Sequence, residues 1–254
     1  AGYTGQGASA VAIGQQAGYT GQGGSAVAVG VGAGDATQGA GAVAVGGAAG
    51  YTGQGDYAVA VGYLAGQTTQ GISATAIGQN AGKTTQGEAA VAIGADAAVT
   101  GQGASAIAIG ASAGQTTQGA SAVAIGYNSG VGDTETATYV SGATGGSVTL
   151  IVNDTTGIKV GSRITGTGFI GGLNSQITVV SVDDGTTLTI SNSANDGTPS
   201  GTLTFNAQQE NNAVAIGNDS GSYGQRGYTV AIGSEAGQYG QDEQAIAMGA
   251  RAGR

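Results

Sequence analysis

A period of 16 residues runs through most of this chain and constrains its fold more than any other feature. Each unit closes an A-V-A-I-G-like block on a glycine: Gly14, Gly30, Gly46, Gly62, Gly78, Gly94, Gly110 and Gly126. After an interruption the same phase resumes at Gly217, Gly233 and Gly249. Eight residues before every anchor stands a glutamine: Gln6, Gln22, Gln38, Gln54, Gln70, Gln86, Gln102, Gln118, Gln209, Gln225 and Gln241. A short fixed period means that each repeat is one coil, which buries its inner face only by stacking on its neighbours. The expected object is a rod, and rods reach, bridge or scaffold.

Composition narrows the class. With 54 Gly but a single Pro, the chain lacks the G-X-Y pattern and the proline of collagen. Regular Val/Ile positions and only 8% charged residues argue against disorder. Fifteen acidic against six basic residues give a net charge of −9, which disfavours nucleic acid and anionic lipid as partners. No run reaches the roughly 18 apolar residues of a membrane span, so no membrane insertion is expected. No signal peptide is visible, and the start at Ala1 reads as a processed product or a fragment. With no cysteine the redox compartment is open, and the Gly/Ala/Thr/Gln/Ser-rich composition points to an extracellular, cell-surface or virion-surface location.

Within one coil, Ala26-Val27-Ala28-Val29 alternates small with β-branched side chains, the period-two pattern of a strand. Alanine favours helices, but the recurrent glycines and the absence of a 3.6-residue period rule a helix out. Alternation puts Val and Ile on one face and Ala on the other. The larger face is expected to fill the roll: Val11, Ile13, Val27, Val29, Val43, Val45, Val59, Val61, Ile77, Val91, Ile93, Ile107, Ile109, Val123, Ile125, Val214, Ile216, Val230, Ile232 and Ile246. The Ala face then reads as a wall that another subunit approaches closely. Glycine-bearing corners such as Gly18 and Gly23 return the chain, so the sixteen-residue unit predicts a two-stranded, flattened coil. A hexapeptide β-helix needs about 18 residues per turn, and the Asp column of a calcium-binding roll is missing. The Gln column predicts a structural ladder of amides bonded coil to coil. Two large side chains per coil are a small core for sixteen ordered residues, so oligomerisation is expected.

The fold class predicted is all-β: a parallel β-roll or β-solenoid over residues 1–130 and 208–254, with an inserted all-β domain over 131–207. From Gly126 to Gly217 is 91 residues where one period is 16. The runs Val148–Val152, Ile177–Val182, Leu188–Ile190 and Leu203–Phe205 read as strands of a small barrel or sandwich. Asp183-Asp184-Gly185-Thr186 is a hairpin signal between two of them. The two ends of the chain, Ala1-Gly2 and Ala252-Gly253-Arg254, fall at the same corner of the repeat, with no capping sequence.

No catalytic chemistry is evident. Without His or Cys the usual nucleophile–base pairs are absent, and no enzyme activity, cofactor or metal site is expected. The acidic pairs Asp183/Asp184, Asp242/Glu243 and Asp133/Glu135 read as turn or surface residues, and Asn153 and Asp154 match no EF-hand loop. A threonine column at Thr4, Thr20, Thr52, Thr68, Thr84, Thr100 and Thr116 resembles the arrays of ice-binding proteins. Its neighbour column mixes Gly5, Gly21, Gly53 and Gly101 with Thr37, Thr69, Thr85 and Thr117, and strand alternation would turn it to the opposite face.

The A-V-A-I-G block followed by x-x-A-G resembles the head repeats of YadA-like trimeric autotransporter adhesins, and the A-I-A-I-G-x-x-A-G-x-T-x-Q-G form is similar to repeats in viral tail fibres. The resemblance covers residues 1–130 and 208–254. It implies a homotrimer of β-rolls, with columns such as Val11 and Ile13 inside each roll and Ala10 and Ala12 near the trimer interface. Taken together, these readings predict a structural fibre or adhesin segment displaying the inserted domain for contact with a cell-surface glycan or protein. The alternatives are a filament subunit stacking end to end, and an ice-binding solenoid.

Overall fold

The computed structural model describes residues 1–144, 146–169, 177–192 and 199–253. Arg254 and parts of the 131–207 segment lie outside the described residues. The chain is all-β, a parallel β-solenoid of sixteen-residue coils carrying an antiparallel sheet. One face of the solenoid is an eleven-stranded parallel sheet. Its strands are Val11–Ile13, Val27–Val29, Val43–Val45, Val59–Val61, Thr75–Ile77, Val91–Ile93, Ile107–Ile109, Val123–Ile125, Val214–Ile216, Val230–Ile232 and Ile246–Met248. The opposite face is a seven-stranded parallel sheet running from Thr20–Gln22 to Thr116–Gln118. Register follows the repeat, as in Val43↔Val59 and Gln54↔Gln70.

Side-chain direction in the eleven-stranded sheet is the reverse of the expectation. The first and third residues of each strand, Val11 and Ile13 through Ile246, point outward, and Ile13 is 59% exposed. The alanines fill the roll: Ala28, Ala44, Ala60, Ala76, Ala92, Ala108 and Ala124 are fully buried, together with a second column from Ala17 to Ala113. The reason is thickness. The Ala60 Cβ lies 3.3 Å from where a Cβ on Gly66 would stand, and the rest of the interior is taken by the glutamine side chains, so the alanine positions have room for a methyl group and no more. Where serine replaces an inward alanine, its hydroxyl finds a carbonyl: Ser129 Oγ donates to Ala215 O at 2.8 Å, and Ser220 Oγ to Ala231 O at 2.8 Å.

Glycine is required at two columns. Gly14 through Gly233 hold φ between 126° and 132°, a region that side chains disfavour. A Cβ on Gly30 would also stand 2.5 Å from the Gly46 carbonyl oxygen. At the other corner, a Cβ on any of Gly7, Gly23, Gly39, Gly55, Gly71, Gly87, Gly103 or Gly119 would come within 2.4–2.7 Å of the next coil.

The inserted segment forms a six-stranded antiparallel sheet in the order Arg163–Thr167, Ser200–Ala207, Asp133–Gly142, Thr149–Val152, Thr187–Ile190, Val179–Val182. The first and last strands meet through Ile164 N→Ile177 O (2.9 Å) and Val179 N→Ser162 O (3.0 Å), which closes the sheet into a barrel. Leu150, Val152, Ile164, Leu188, Leu203 and Phe205 fill it. Its two ends are paired, Asp133 opposite Ala207, and the solenoid continues past it in register, with Val123↔Val214.

Candidate functional site

From Gln22 to Gln241 the glutamine ladder is buried inside the roll, and Gln6 at its end is exposed. Each amide starts on the seven-stranded face and reaches the opposite wall: Gln70 Nε2 donates to Val59 O at 2.8 Å and lies 3.3 Å from Ala74 O. The same nitrogen is 3.1 Å from Gln86 Oε1, so two N–H groups serve three acceptors. Coil-to-coil amide bonds run from Gln54 through Gln118 and across the interruption to Gln209. They continue to Gln225 and Gln241, and Gln6 bonds to Gln22. The ladder breaks around Gln38, where Oε1 of Gln38 and of Gln54 are unpaired. A column so enclosed ties the two sheets together and presents nothing to a ligand.

Three surfaces face outward. The first is the Val/Ile face, two columns on eleven adjacent strands that are apolar except at Thr75. Ile246 is 70% exposed at its end, and the strands carry no charged residue. The second is the threonine face. Thr37, Thr69, Thr85 and Thr117 have φ between 44° and 57°, which reverses the alternation. Thr68 and Thr69 are therefore exposed together, as are Thr85 and Thr117 beside half-buried Thr84 and Thr116. The expectation that this second column points away is thus corrected, since left-handed backbone overrides strand periodicity.

The third surface lies where the barrel meets the last coils. Lys159 Nζ sits 5.4 Å from the Tyr223 ring centroid, and Tyr223 stacks on Tyr239 with centroids 5.5 Å apart. These tyrosines take the place that threonine holds in earlier coils. Next to them, a cleft of about 520 Å³ is lined by Arg163, Gln208, Glu210, Asn211, Asn212 and Tyr228. A smaller one of about 250 Å³ adjoins it across Arg163 and Glu210 and reaches Arg226. Arg226 pairs with Asp242 at 3.5 Å, and Glu210 Oε2 accepts from Gly227 N at 3.2 Å. Arg163 makes no ion pair with any described residue. Sequence reasoning missed this cleft, although the replacement of a glycine column by Glu210, Arg226 and Asp242 was there to be read.

Asp154, Asp183 and Asp184 of the insertion are engaged in its turns. Asp184 Oδ1 accepts from the backbone N–H groups of Thr186 and Thr187, both at 2.8 Å. These bonds, the Thr186 N–H foremost, hold its carboxyl below the usual carboxylate range. Asp183 bonds the hydroxyls of Ser181 and Thr189. Asp154 accepts from Thr156 N at 2.8 Å, which lowers its pKa, and Asn153 Oδ1 accepts from Thr138 N. Comparison of the chain with protein-family models, with curated proteins and with solved structures returns no match in any of the three.

Proposed function

We propose that this chain is a non-enzymatic segment of an extracellular or virion-surface fibre, related to the YadA-like adhesin heads and viral tail fibres it resembles. It assembles as a homotrimer and displays the barrel for attachment. The observation that carries the reading is the outward Val/Ile face. Two apolar columns on eleven strands, spaced about 4.8 Å apart, make a stripe on the order of 50 Å long. A patch of that extent on a soluble chain marks an interface. A second and third copy fit it because they carry the same period, so side chains interdigitate coil by coil along the whole length. The barrel touches the last coils through Lys159 against Tyr223, and the outward Val214, Ile216, Val230 and Ile232 beside it are half-buried just as Val43 and Val45 are far from it. The interface assigned earlier to the Ala face passes to the Val/Ile face, since the alanines are enclosed within each roll.

The test is mass in solution. A species of three 23.9 kDa chains is expected, and a chain that stays monomeric at all concentrations contradicts the reading.

The paired outward threonines favour one second reading, an ice-binding plane on the opposite sheet. Thermal hysteresis that is abolished by Thr69→Lys would select it, and its absence would leave the fibre reading alone.

A further inference from the structure

At the corner between the Gln strand and the Val/Ile strand, eight consecutive coils carry glycine, from Gly7 to Gly119. The steric reason is the contact of any Cβ with the next coil, at 2.4–2.7 Å. After the barrel, the same position is occupied by Glu210, Arg226 and Asp242. Backbone pairing persists there, through Glu210 N→Gln225 O at 2.9 Å and Arg226 N→Gln241 O at 3.2 Å. The regular strands of that sheet, however, end at Thr116–Gln118 and give way to single bridges, Gln118↔Gln209 and Tyr223↔Tyr239. The solenoid gives up its tight corner only where the barrel overhangs it. Stability of the rod does not call for this, because eight coils achieve it with glycine.

The same place gathers the chain's scarce positive charge. Of six basic residues, Lys159, Arg163 and Arg226 are at this junction. Their acidic neighbours Glu210, Asp242 and Glu243 leave no net positive charge there. The cleft thus offers the Arg163 guanidinium as donor, the Glu210 and Glu243 carboxylates as acceptors and the carboxamides of Asn211 and Asn212, with an exposed aromatic ring, Tyr228, at 62% exposure. Hydroxyl groups both donate and accept, so a polyol needs this mixture of signs. The pyranose ring's C–H face suits the tyrosine ring. A volume of about 520 Å³ lies within the range of small-ligand sites.

We propose that the cleft between barrel and roll, lined by Arg163, Glu210 and Tyr228, is a binding site for a neutral saccharide of one or two sugar units. It deepens the display reading above and rests on it for the class of ligand. The site belongs to the junction, so neither the barrel nor the repeat holds it alone.

Saturation-transfer NMR on the full chain tests this, with lactose, cellobiose and diacetylchitobiose as neutral probes and a sulfated heparin disaccharide as the charged one. Transfer to at least one neutral sugar is expected. Tyr228→Ala and Arg163→Ala, checked for unchanged melting, should each weaken it about tenfold or more. Transfer confined to the sulfated probe overturns the proposal in favour of an anion site. Equal transfer in both variants puts the sugar site elsewhere, with the display reading intact. Silence from every probe in the native chain removes the cleft as a saccharide site, while the trimer is judged separately by mass.

Discussion

Gln70 and Val59 stand on opposite walls of the roll, and the Gln70 carboxamide donates to the Val59 carbonyl across the interior at 2.8 Å. This bond recurs from coil to coil, as in Gln86 to Thr75 and Gln102 to Val91. It makes the ladder a cross-brace as well as a stack. Gln86→Ala removes bonds to Thr75 O, Ala90 O and Gln102 Oε1 at once and leaves a void. A loss of about 2–4 kcal/mol in chemical denaturation is expected. A change below about 0.5 kcal/mol would show that the brace is ornamental.

Direction of the strand side chains can be tested by volume. Ala60→Val adds bulk inside a wall with no room and should cost about 1–3 kcal/mol or more. Val59→Thr, on the outward face, repeats what Thr75 already does in the next coil and should leave the fold of the single chain intact. Comparable losses from the two substitutions would contradict the inward placement of alanine.

Self-association is expected to depend on the outward columns. Val43→Glu with Val91→Glu places charges on the apolar stripe of well-separated coils. Light scattering should then report a single chain whose circular dichroism is unchanged. Retention of the native mass would move the interface to another face.

Glycine substitutions should divide sharply. Gly110→Ala sets a Cβ 2.5 Å from the Gly126 carbonyl oxygen at φ 126° and should cost more than about 3 kcal/mol. Gly185→Ala, with nothing within 4 Å, should stay within about 0.5 kcal/mol. Paired thermal melts decide the matter.

Acid should weaken the barrel. The Asp184 carboxyl is held below its ordinary pKa by the Thr186 N–H and then by Thr187, so the folded form favours the charged state. Its contribution is complete above the unfolded pKa of about 4 and is lost as pH falls through the lower, folded value. Asp154, held by Thr156, acts in the same direction. The barrel's melting temperature should fall modestly in that window, and Asp184→Asn should reduce the dependence. Stability that rises on acidification refutes the assignment.

Period, strand type and interruption were all legible in the residues, because a sixteen-residue recurrence of Gly and Gln has few structural solutions. Which face turns inward was not. Alternation at Val27-Ala28-Val29 fixes two faces but carries no thickness, and burying the larger residues is the natural guess. Only the close approach of Ala60 to Gly66 shows that the roll is too thin for Val. The threonine pair at Thr68-Thr69 misled for a similar reason, since a left-handed φ of 52° at a β-branched residue is not written in its side chain. In the barrel, Asp133–Gly142 escaped notice because its inward side chains, the small Ala137 and the partly buried Tyr139, stand among threonines and give no run of large apolar residues. Arg163–Thr167 offers a single large apolar residue, Ile164.

The barrel leaves and rejoins the rod at one paired stem, while Gly126 N→Ile109 O and Gly217 N→Ile125 O keep adjacent coils bonded at 2.8 and 2.7 Å. Tension along the axis therefore passes from coil to coil around the barrel and never through it. A rod built this way keeps its coil-to-coil bonding along the axis whatever the side domain does, and that domain can unfold, turn over or be exchanged without slackening the line of coils beneath it.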